Sequence, residues 1–315
     1  MNTMRIIFMG SAPLSCESLQ ALRQRAGIDL LAVVTQPDRP KGRELKLQPS
    51  PVKLFAVQQN LRVLQPERAR SPDFINEVRT LGPDLIVVAA YGQILPQELL
   101  QVPQFGCINV HTSLLPKYRG AAPIQAAILN DEPETGVTIM KMDAGLDTGD
   151  LLSQERTAIG PEDTAQTLHE RLAQMGAGLL MRTMPEYVSG RLTPKPQPAE
   201  GVSYAPKIKK QDGRIDWTKP GRTIWNQVRG LVPWPGAFTF MPADPHPQLL
   251  KVWAAEVVPL SGPAGEVLRA DNHGIVAGCG DQAMRITELQ REGGRRLPAD
   301  QFLAGHRLQP GTRLG

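Results

Sequence analysis

The sequence predicts an α/β protein in which a doubly wound domain of parallel strands is followed by a smaller β-barrel. Two observations point to this fold class. In the first 190 residues, short apolar runs rich in β-branched residues alternate with segments of helical periodicity. After residue 206, short strand patterns follow one another with glycine-rich turns between them, which is typical of small barrels and sandwiches.

The strand segments expected in the first domain are apolar on both faces, as central parallel strands are when helices cover them on each side. They comprise residues 5–10, 30–35, 84–90, 107–111 and 136–142. Helices are indicated after Ser71-Pro72, where a capping residue precedes proline, at about 122–130, and from Thr164 to Tyr187.

The domain boundary is predicted at 191–206, because this stretch holds four prolines and few apolar residues and so favours extended, semi-rigid chain. The predicted parts are a first domain at 1–190, a linker at 191–206 and a second domain at 207–315. In the second domain we predict strands at 249–258, 274–279 and 283–289 and a helix near 222–229. A five-stranded barrel of the oligonucleotide-binding (OB) kind is one candidate among several small barrels.

The composition of the 315 residues, 41% hydrophobic and 21% charged, excludes a disordered chain and a coiled coil. The three cysteines lie far apart without metal-ligand spacing, so we predict neither a disulfide framework nor a metal site. No segment approaches the roughly 20 apolar residues of a membrane helix, and the apolar run at 6–9 is too short for a signal peptide. We expect a cytoplasmic protein that does not span a membrane.

Positive charge is concentrated in the last third of the chain. Residues 1–206 carry 20 Lys and Arg against 21 Asp and Glu, whereas residues 207–315 carry 15 against 10. This asymmetry fits a module that binds a polyanion, and it fits an ordinary solvated surface equally well. Tryptophans in this third suit base stacking, but tryptophans usually lie in cores, and we expect core positions. They are Trp217, Trp225, Trp234 and Trp253.

The loop after the first strand, Gly10 to Ser15, argues against a dinucleotide site. It has one glycine where the dinucleotide fingerprint needs three, and Pro13 is placed to open a helix. The chain also lacks the GxxxxGK[ST] motif of nucleoside-triphosphate hydrolases. We therefore predict a simple strand-to-helix turn here.

The strongest chemical signal is the segment Cys107 to Gly120. Asn109 and His111 are two residues apart on a predicted strand, so both point to the same face near its carboxyl end, where open α/β sheets bind ligands. An amide donor beside an imidazole suits stabilisation of an oxyanion on a tetrahedral carbon. The alternative is a strand-end histidine that only satisfies a neighbouring carbonyl.

An acidic loop follows at 142–150 and offers Asp143, Asp147 and Asp150 as partners for His111. We expect a right-handed crossover, through the helix at 122–130 and the strand at 136–142, to deliver this loop to the same sheet edge. The alternative is a turn in which Asp and Gly serve only the backbone. Calcium is excluded because the twelve-residue ligand spacing and its terminal Glu are missing.

A polar loop at 35–51 is net positive, with Arg39, Lys41, Arg43 and Lys46 against Asp38 and Glu44. Such a loop can clamp an anionic substrate such as RNA, or it can be an ordinary solvated loop.

Taken in order along the chain, several segments resemble the methionyl-tRNA formyltransferase family. They are TQPDRP (35–40), YGQILP (91–96), CINVHTSLLPKYRGAAPIQ (107–125), MDAGLDTGD (142–150) and VRGLVPWPGAF (228–238). The Asn-x-His, SLLP and Asp-loop pattern is shared with other enzymes that use 10-formyltetrahydrofolate, whereas the basic loop and the WPGAF segment resemble the tRNA-directed family alone. The sequence departs from the family at 10–15 and at Thr112.

The resemblance implies a Rossmann-like formyltransferase domain, an OB-like barrel that binds tRNA, and transfer of a formyl group from 10-formyltetrahydrofolate to initiator methionyl-tRNA. It implies Asn109, His111 and Asp147 as catalytic residues. Ser113, Leu114, Leu115 and Pro116 would bind the folate, with YGQILP and the acidic loop around its pterin, and Arg43 would contact tRNA. The resemblance implies that 10-formyltetrahydrofolate is a co-substrate and that tetrahydrofolate is released after the transfer. It implies no metal, and we expect a monomer.

Two other formyl enzymes share this trio: a transferase acting on a nucleotide or sugar amine, and a hydrolase releasing formate. A non-catalytic RNA-binding protein is the alternative from another class. That function does not require Asn109, His111 and Asp147 to lie together.

Overall fold

A computed structural model of the chain describes residues 3–41, 46–306 and 308–315. The strands are β1 (Met4–Gly10), β2 (Ile28–Val34), β3 (Arg39–Lys41), β4 (Lys46–Gln48), β5 (Val63–Leu64), β6 (Leu85–Ala89), β7 (Cys107–His111), β8 (Arg119–Gly120), β9 (Glu134–Lys141), β10 (Leu151–Ala158), β11 (Tyr204–Ala205), β12 (Ala237–Met241), β13 (Gln248–Val258), β14 (Val267–Asp271), β15 (Gly274–Gly278), β16 (Ala283–Arg291) and β17 (Leu297–Pro298). The helices are α1 (Leu14–Gln24), α2 (Pro51–Gln58), α3 (Pro72–Leu81), α4 (Gln97–Leu100), α5 (Pro123–Leu129), α6 (Ala165–Val188), α7 (Gly221–Gly230) and α8 (Ala299–Gly305).

The chain divides into two compact units, and each unit contains segments that are distant in sequence. Unit 1 combines Met1–Pro123, Glu134–Ala158 and His169–Pro206. Unit 2 combines Ile124–Pro133, Ile159–Leu168 and Lys207–Gly315. The domain limits that the proline content of 191–206 indicates, at residues 190 and 207, stay a prediction.

Unit 1 is built on a seven-stranded sheet in the order β10-β9-β7-β6-β1-β2-β5. The five strands from β7 to β5 are parallel, which confirms the predicted doubly wound parallel sheet. The strand order reverses between β1 and β6, the position at which open α/β sheets of this kind bind ligands.

The two remaining strands correct one expectation. We expected a right-handed crossover into the strand at 136–142, but β9 runs antiparallel to β7, and β10 runs antiparallel to β9. The segment between β7 and β9 therefore returns the chain in the opposite direction. The acidic loop consequently begins beside the amino end of β7, where the Met142 N–H donates to the Cys107 carbonyl at 2.8 Å.

The core of unit 1 follows from apolar strands covered by helices. On one face, Ile7, Val34 and Ile86 lie in a buried cluster with Phe74 and Val78 of α3. Close approach of α6 depends on Gly176, because a Cβ atom there would lie 2.8 Å from Val110 Cγ1 of β7. A side chain at this position would push the helix away from the strand that carries Asn109 and His111.

Some strands were missed because their sequences do not have the apolar pattern sought. Strand β10 lies at the sheet edge and alternates between more buried and more exposed residues, as a half-covered edge strand does. Strands β5, β8 and β11 are two residues long, too short to leave a periodic signal. The loop expected at 35–51 contains the hairpin of β3 and β4.

Unit 2 contains an antiparallel sheet in the order β12-β13-β16-β15-β14, with β17 paired to β16. Its core joins Ile224 and Val228 of α7 to Val252, Ile286 and Trp217. Trp217 thus lies in the core as expected, whereas Trp234 is 56% exposed. The named strands pair in one path from β12 to β14. The C-terminal segment lies against both ends of that path, since the Gly311 N–H donates to Val267 of β14 and the Gly315 N–H donates to Phe240 of β12, each at 2.9 Å.

Among the helices in the described ranges, none is long and apolar enough to cross a bilayer.

Candidate active site

Strand β7 places Asn109 and His111 side by side. It pairs with β6 through Asn109 and Val88, and with β9 through Asn109 and Met140. Asn109 is 8% exposed and His111 is 6% exposed. Both side chains are thus held in a mostly water-excluded setting, where their hydrogen bonds act more strongly than in water.

The tautomer of His111 follows from its partner. Its Nε2 atom lies 3.0 Å from the carbonyl oxygen of Tyr118. Because a carbonyl oxygen can only accept, Nε2 carries a hydrogen and donates it. In the neutral ring the other nitrogen, Nδ1, therefore has a free electron pair, and in the imidazolium form it gains a proton to donate.

Asp147 completes the group. Its Oδ1 lies 3.4 Å from Asn109 Nδ2, and its Oδ2 accepts the Gly120 N–H at 2.8 Å. The same Oδ2 is 3.7 Å from His111 Nδ1, and the Asp147 side chain is 14% exposed. The structure therefore brings the three predicted residues together, with an amide, an imidazole and a carboxylate around one point.

The acidic loop reaches this point by folding back on its own base. The Lys141 N–H donates to the Asp150 carbonyl at 2.8 Å, which ties the ends of the loop together. Gly149 makes that closure possible, because a Cβ atom there would lie 1.8 Å from the Lys141 carbonyl oxygen. The glycine thus allows a backbone approach that no other residue permits.

Two acids of the loop, Asp143 and Asp147, differ in their partners. Asp143 is exposed, and its carboxylate accepts from Thr148 Oγ1 at 2.7 Å and from the Gly145 N–H at 3.1 Å. It therefore holds a local turn. In the described part of the chain, Asp147 is the acid of this loop whose carboxylate contacts Asn109 and His111.

The segment Ser113–Pro116 follows β7 directly and is fixed to the neighbouring strands. The Leu115 N–H donates to Thr138 Oγ1 at 3.1 Å, and Gln154 Nε2 donates to the Leu115 carbonyl at 2.8 Å. Ser113 and Leu115 are buried, whereas Leu114 and Pro116 are half-buried. The folate role of this segment stays a prediction.

Residues of the stretch 191–206 also take part, which sequence reasoning missed. Gln197 Nε2 donates to the carbonyl oxygens of Asp147 and Gly149, both at 2.8 Å. Ser203 accepts the Tyr118 N–H on its Oγ at 2.9 Å. Proline content indicated a spacer here, and no local pattern marks a glutamine that reaches a carbonyl about fifty positions away.

Thiolate chemistry is not available at this strand. Cys107 is buried, and burial raises the pKa of its thiol to about 12, so the sulfur stays protonated at neutral pH. In the described ranges, no group of three or more His, Cys, Asp or Glu residues is arranged to hold a metal ion.

Arg43, which the resemblance assigns to tRNA, lies outside the described residues.

Comparison with protein families matches residues 4–184 to "Formyl transferase" and residues 207–307 to "Formyl transferase, C-terminal domain". The chain belongs to the formyl transferase family. The family match includes the strand and the loop that carry Asn109, His111 and Asp147.

Relatives within the formyl transferases match this chain over its whole length. The methionyl-tRNA formyltransferase of Geobacter sulfurreducens is 51% identical over 315 residues, covering 100% of this chain and 98% of the relative. The methionyl-tRNA formyltransferase of Citrifermentans bemidjiense is also 51% identical over 315 residues, with the same coverage.

A solved structure of similar fold is HypX from Aquifex aeolicus in complex with tetrahydrofolic acid. It has a TM-score of 0.62 and 20% sequence identity, and the match covers 98% of this chain and 49% of HypX. The chain thus spans about half the length of that protein, and the likeness concerns the fold of a formyl transferase.

Proposed function

We propose that this formyl transferase moves the formyl group of 10-formyltetrahydrofolate to the free amino group of initiator methionyl-tRNA, giving N-formylmethionyl-tRNA for translation initiation. The observation that carries the proposal is the 51% identity to methionyl-tRNA formyltransferases along the full chain. The convergence of Asn109, His111 and Asp147 supports the same chemistry.

Transfer requires the acceptor nitrogen to attack the formyl carbon, which places negative charge on the formyl oxygen and positive charge on the nitrogen. Asn109 Nδ2–H can donate to that oxygen. His111 can donate from Nδ1 when it is protonated, because Nε2–H is already bound to the Tyr118 carbonyl. Asp147 Oδ2 lies 3.7 Å from the same Nδ1 atom.

The proton of the attacking ammonium must leave before the tetrahedral adduct collapses to products. Asp147 is the nearest anion to Asn109 and His111 in the described site, so its carboxylate can accept that proton directly or through a water. When the bond from the formyl carbon to the folate nitrogen breaks, that nitrogen takes up a proton. Tetrahydrofolate and the formylated amine are then the products, with no net change in protons.

Unit 2 offers features suited to a polyanion, and we propose that it is an OB-like barrel that binds tRNA. The half-buried ring of Trp253 lies 5.5 Å from Lys251 Nζ and 5.0 Å from Arg296 Cζ. An aromatic ring flanked by cations can stack on bases and contact phosphates. The exposed Trp234 is a second stacking candidate, and Arg43 of unit 1 is proposed to contact the tRNA.

Further parts of the proposal concern the setting of the enzyme. We propose that Ser113–Pro116 contacts the folate and that the protein works as a cytoplasmic monomer without a bound metal. The domain limits of 1–190, 191–206 and 207–315 are retained as a proposal as well.

The test is transfer of labelled formyl from 10-formyltetrahydrofolate to charged initiator methionyl-tRNA, charged elongator methionyl-tRNA and glycinamide ribonucleotide, each assayed in parallel. A reaction without acceptor measures hydrolysis. Label on the initiator tRNA alone supports the proposal. Label on the ribonucleotide, or release of formate without acceptor, would keep the Asn-His-Asp chemistry and overturn the tRNA assignment.

A further inference from the structure

We propose that Gln197 is a positioning residue for catalysis: its side-chain amide holds Asp147 in the orientation that faces His111 and Asn109, and Arg119 fixes the direction of that amide. The proposal rests on the proposed formyl transfer for its kinetic effect. It assigns an active-site role to a stretch that its composition marks as a spacer.

The contacts of Gln197 are directed at the backbone of the acidic loop. One nitrogen, Nε2, donates to the carbonyl oxygens of both Asp147 and Gly149 at 2.8 Å. An amide nitrogen has two hydrogens, so both of them are used. The two carbonyls lie on either side of Thr148, and together they fix how Asp147 is turned.

Arg119 determines which way round the amide lies. Its Nη2 and Nε donate to Gln197 Oε1 at 2.7 and 3.2 Å. A guanidinium can only donate and a carbonyl can only accept, so the oxygen of Gln197 must face Arg119 and the nitrogen must face the loop. The orientation of the side-chain amide is thus set by the chemistry of its neighbours.

Asp147 needs such support because its backbone is in an unfavourable conformation. Its φ is +52°, in the left-handed region that residues with a Cβ atom seldom adopt. Conformations of this kind persist only where surrounding contacts impose them. The bond from Gly120 N–H holds the carboxylate, and the bonds from Gln197 hold the backbone.

The segment around Gln197 is itself fixed at both ends. Lys195 and Leu151 exchange two backbone hydrogen bonds, of 2.9 and 2.7 Å. Further along, Tyr204 pairs with Arg119 where β11 runs beside β8. The stretch that carries Gln197 is therefore fixed by Leu151 on one side and by Arg119 on the other.

The kinetic test compares Q197A and Q197E with the unmodified protein, using Q24E at the exposed end of α1 as the matched control. The carboxylate introduced by Q197E keeps a partner for Arg119 but has no hydrogens for the two carbonyls. We expect kcat to fall about 10- to 100-fold in both variants, because small misplacements of catalytic groups reduce rates by such factors. KM for the folate should stay unchanged. Wild-type kcat in Q197E would overturn the proposal.

The coupling to Arg119 separates positioning from general destabilisation. If Arg119 acts through Gln197, the R119M/Q197A double variant should be no slower than Q197A alone. Additive losses, or a KM that rises together with the fall in kcat, would contradict the assignment.

Hydrogen exchange gives a measurement that does not depend on the reaction. In Q197E we expect the Gly120 amide, which donates to Asp147, to exchange faster while the rest of the sheet keeps its protection. Unchanged exchange at Gly120 would overturn the proposal. If the unmodified protein transfers no formyl group to any acceptor, the proposed function fails and this exchange experiment still decides the role of Gln197.

Discussion

His111 Nδ1 and Asp147 Oδ2 lie 3.7 Å apart, farther than a direct hydrogen bond. The opposite side of the ring is held by the Tyr118 carbonyl. The ring therefore has one nitrogen fixed in the protein and one nitrogen free for the reaction.

The first prediction concerns the carboxylate. D147N should lower kcat by at least about 100-fold, because the amide cannot take up a proton. Asparagine tolerates the left-handed backbone, so the loop should keep its form and the folate should still bind. The measurement is single-turnover formyl transfer with D143N as control, since Asp143 serves a local turn. Full activity of D147N would assign the role to another acid.

The second prediction concerns the two nitrogens of His111. The glutamine in H111Q can place its Nε2 near the Tyr118 carbonyl and keep that bond, but it has nothing at the position of Nδ1. We expect thermal stability near that of the unmodified protein and a loss of at least about 100-fold in kcat. Nitrogen NMR of the labelled neutral ring should find the hydrogen on Nε2. A ring protonated on Nδ1 instead would contradict the assignment.

The third prediction concerns the amide donor. N109A removes a hydrogen bond to the developing oxyanion and should reduce kcat by about 100- to 1,000-fold, with little change in KM. Steady-state kinetics and thermal unfolding of the same sample separate this effect from misfolding. A kcat equal to that of the unmodified protein would remove Asn109 from the mechanism.

The fourth prediction tests the proposed tRNA contact of Arg43. R43A should weaken tRNA binding and lower the slope of log affinity against log salt concentration by about 1, as expected when one phosphate contact is lost. Filter binding over a range of salt concentrations measures the slope. R23A, at an exposed position of α1, is the control. An unaltered slope in R43A would make the loop an ordinary solvated one.

The fifth prediction concerns His169 of α6, whose pKa is lowered from its ordinary value of 6.5 mainly by burial. The unfolded chain then binds a proton more readily than the folded one. The stability that the neutral ring contributes is full above pH 6.5 and is lost as the pH falls below it. Denaturant unfolding at several pH values should find that H169Q loses less stability upon acidification. Parallel curves for both proteins would contradict this.

The sequence predicted those parts of the fold whose signal is local. The segment at 107–111 carries the buried residues Cys107, Ile108 and Val110 and forms β7 with the predicted bounds. Ser71-Pro72 begins α3 as expected. The direction of β9 was missed because strand direction depends on how the chain returns to the sheet. Nothing in the apolar pattern of 136–142 differs between a parallel and an antiparallel strand.

In the candidate site, too, the residues with a local sequence signal could be predicted and those that depend on distant contacts could not. Asn109 and His111 could be placed together because they share a strand face, and the Asp-Gly loop could be named as the source of a carboxylate. The choice of Asp147 over Asp143 came from the resemblance and not from spacing. Gln197 escaped detection because its role depends on contacts between distant parts of the chain.

The stretch between Lys195 and Tyr204 has a consequence for sequence change. Proline-rich connections at the surface normally tolerate insertions and deletions. Here Lys195 is bonded to Leu151 and Tyr204 is paired with Arg119, so one added or removed residue would shift Gln197 away from the carbonyls of Asp147 and Gly149. Within this family, the number of residues in this stretch should therefore vary less than its composition.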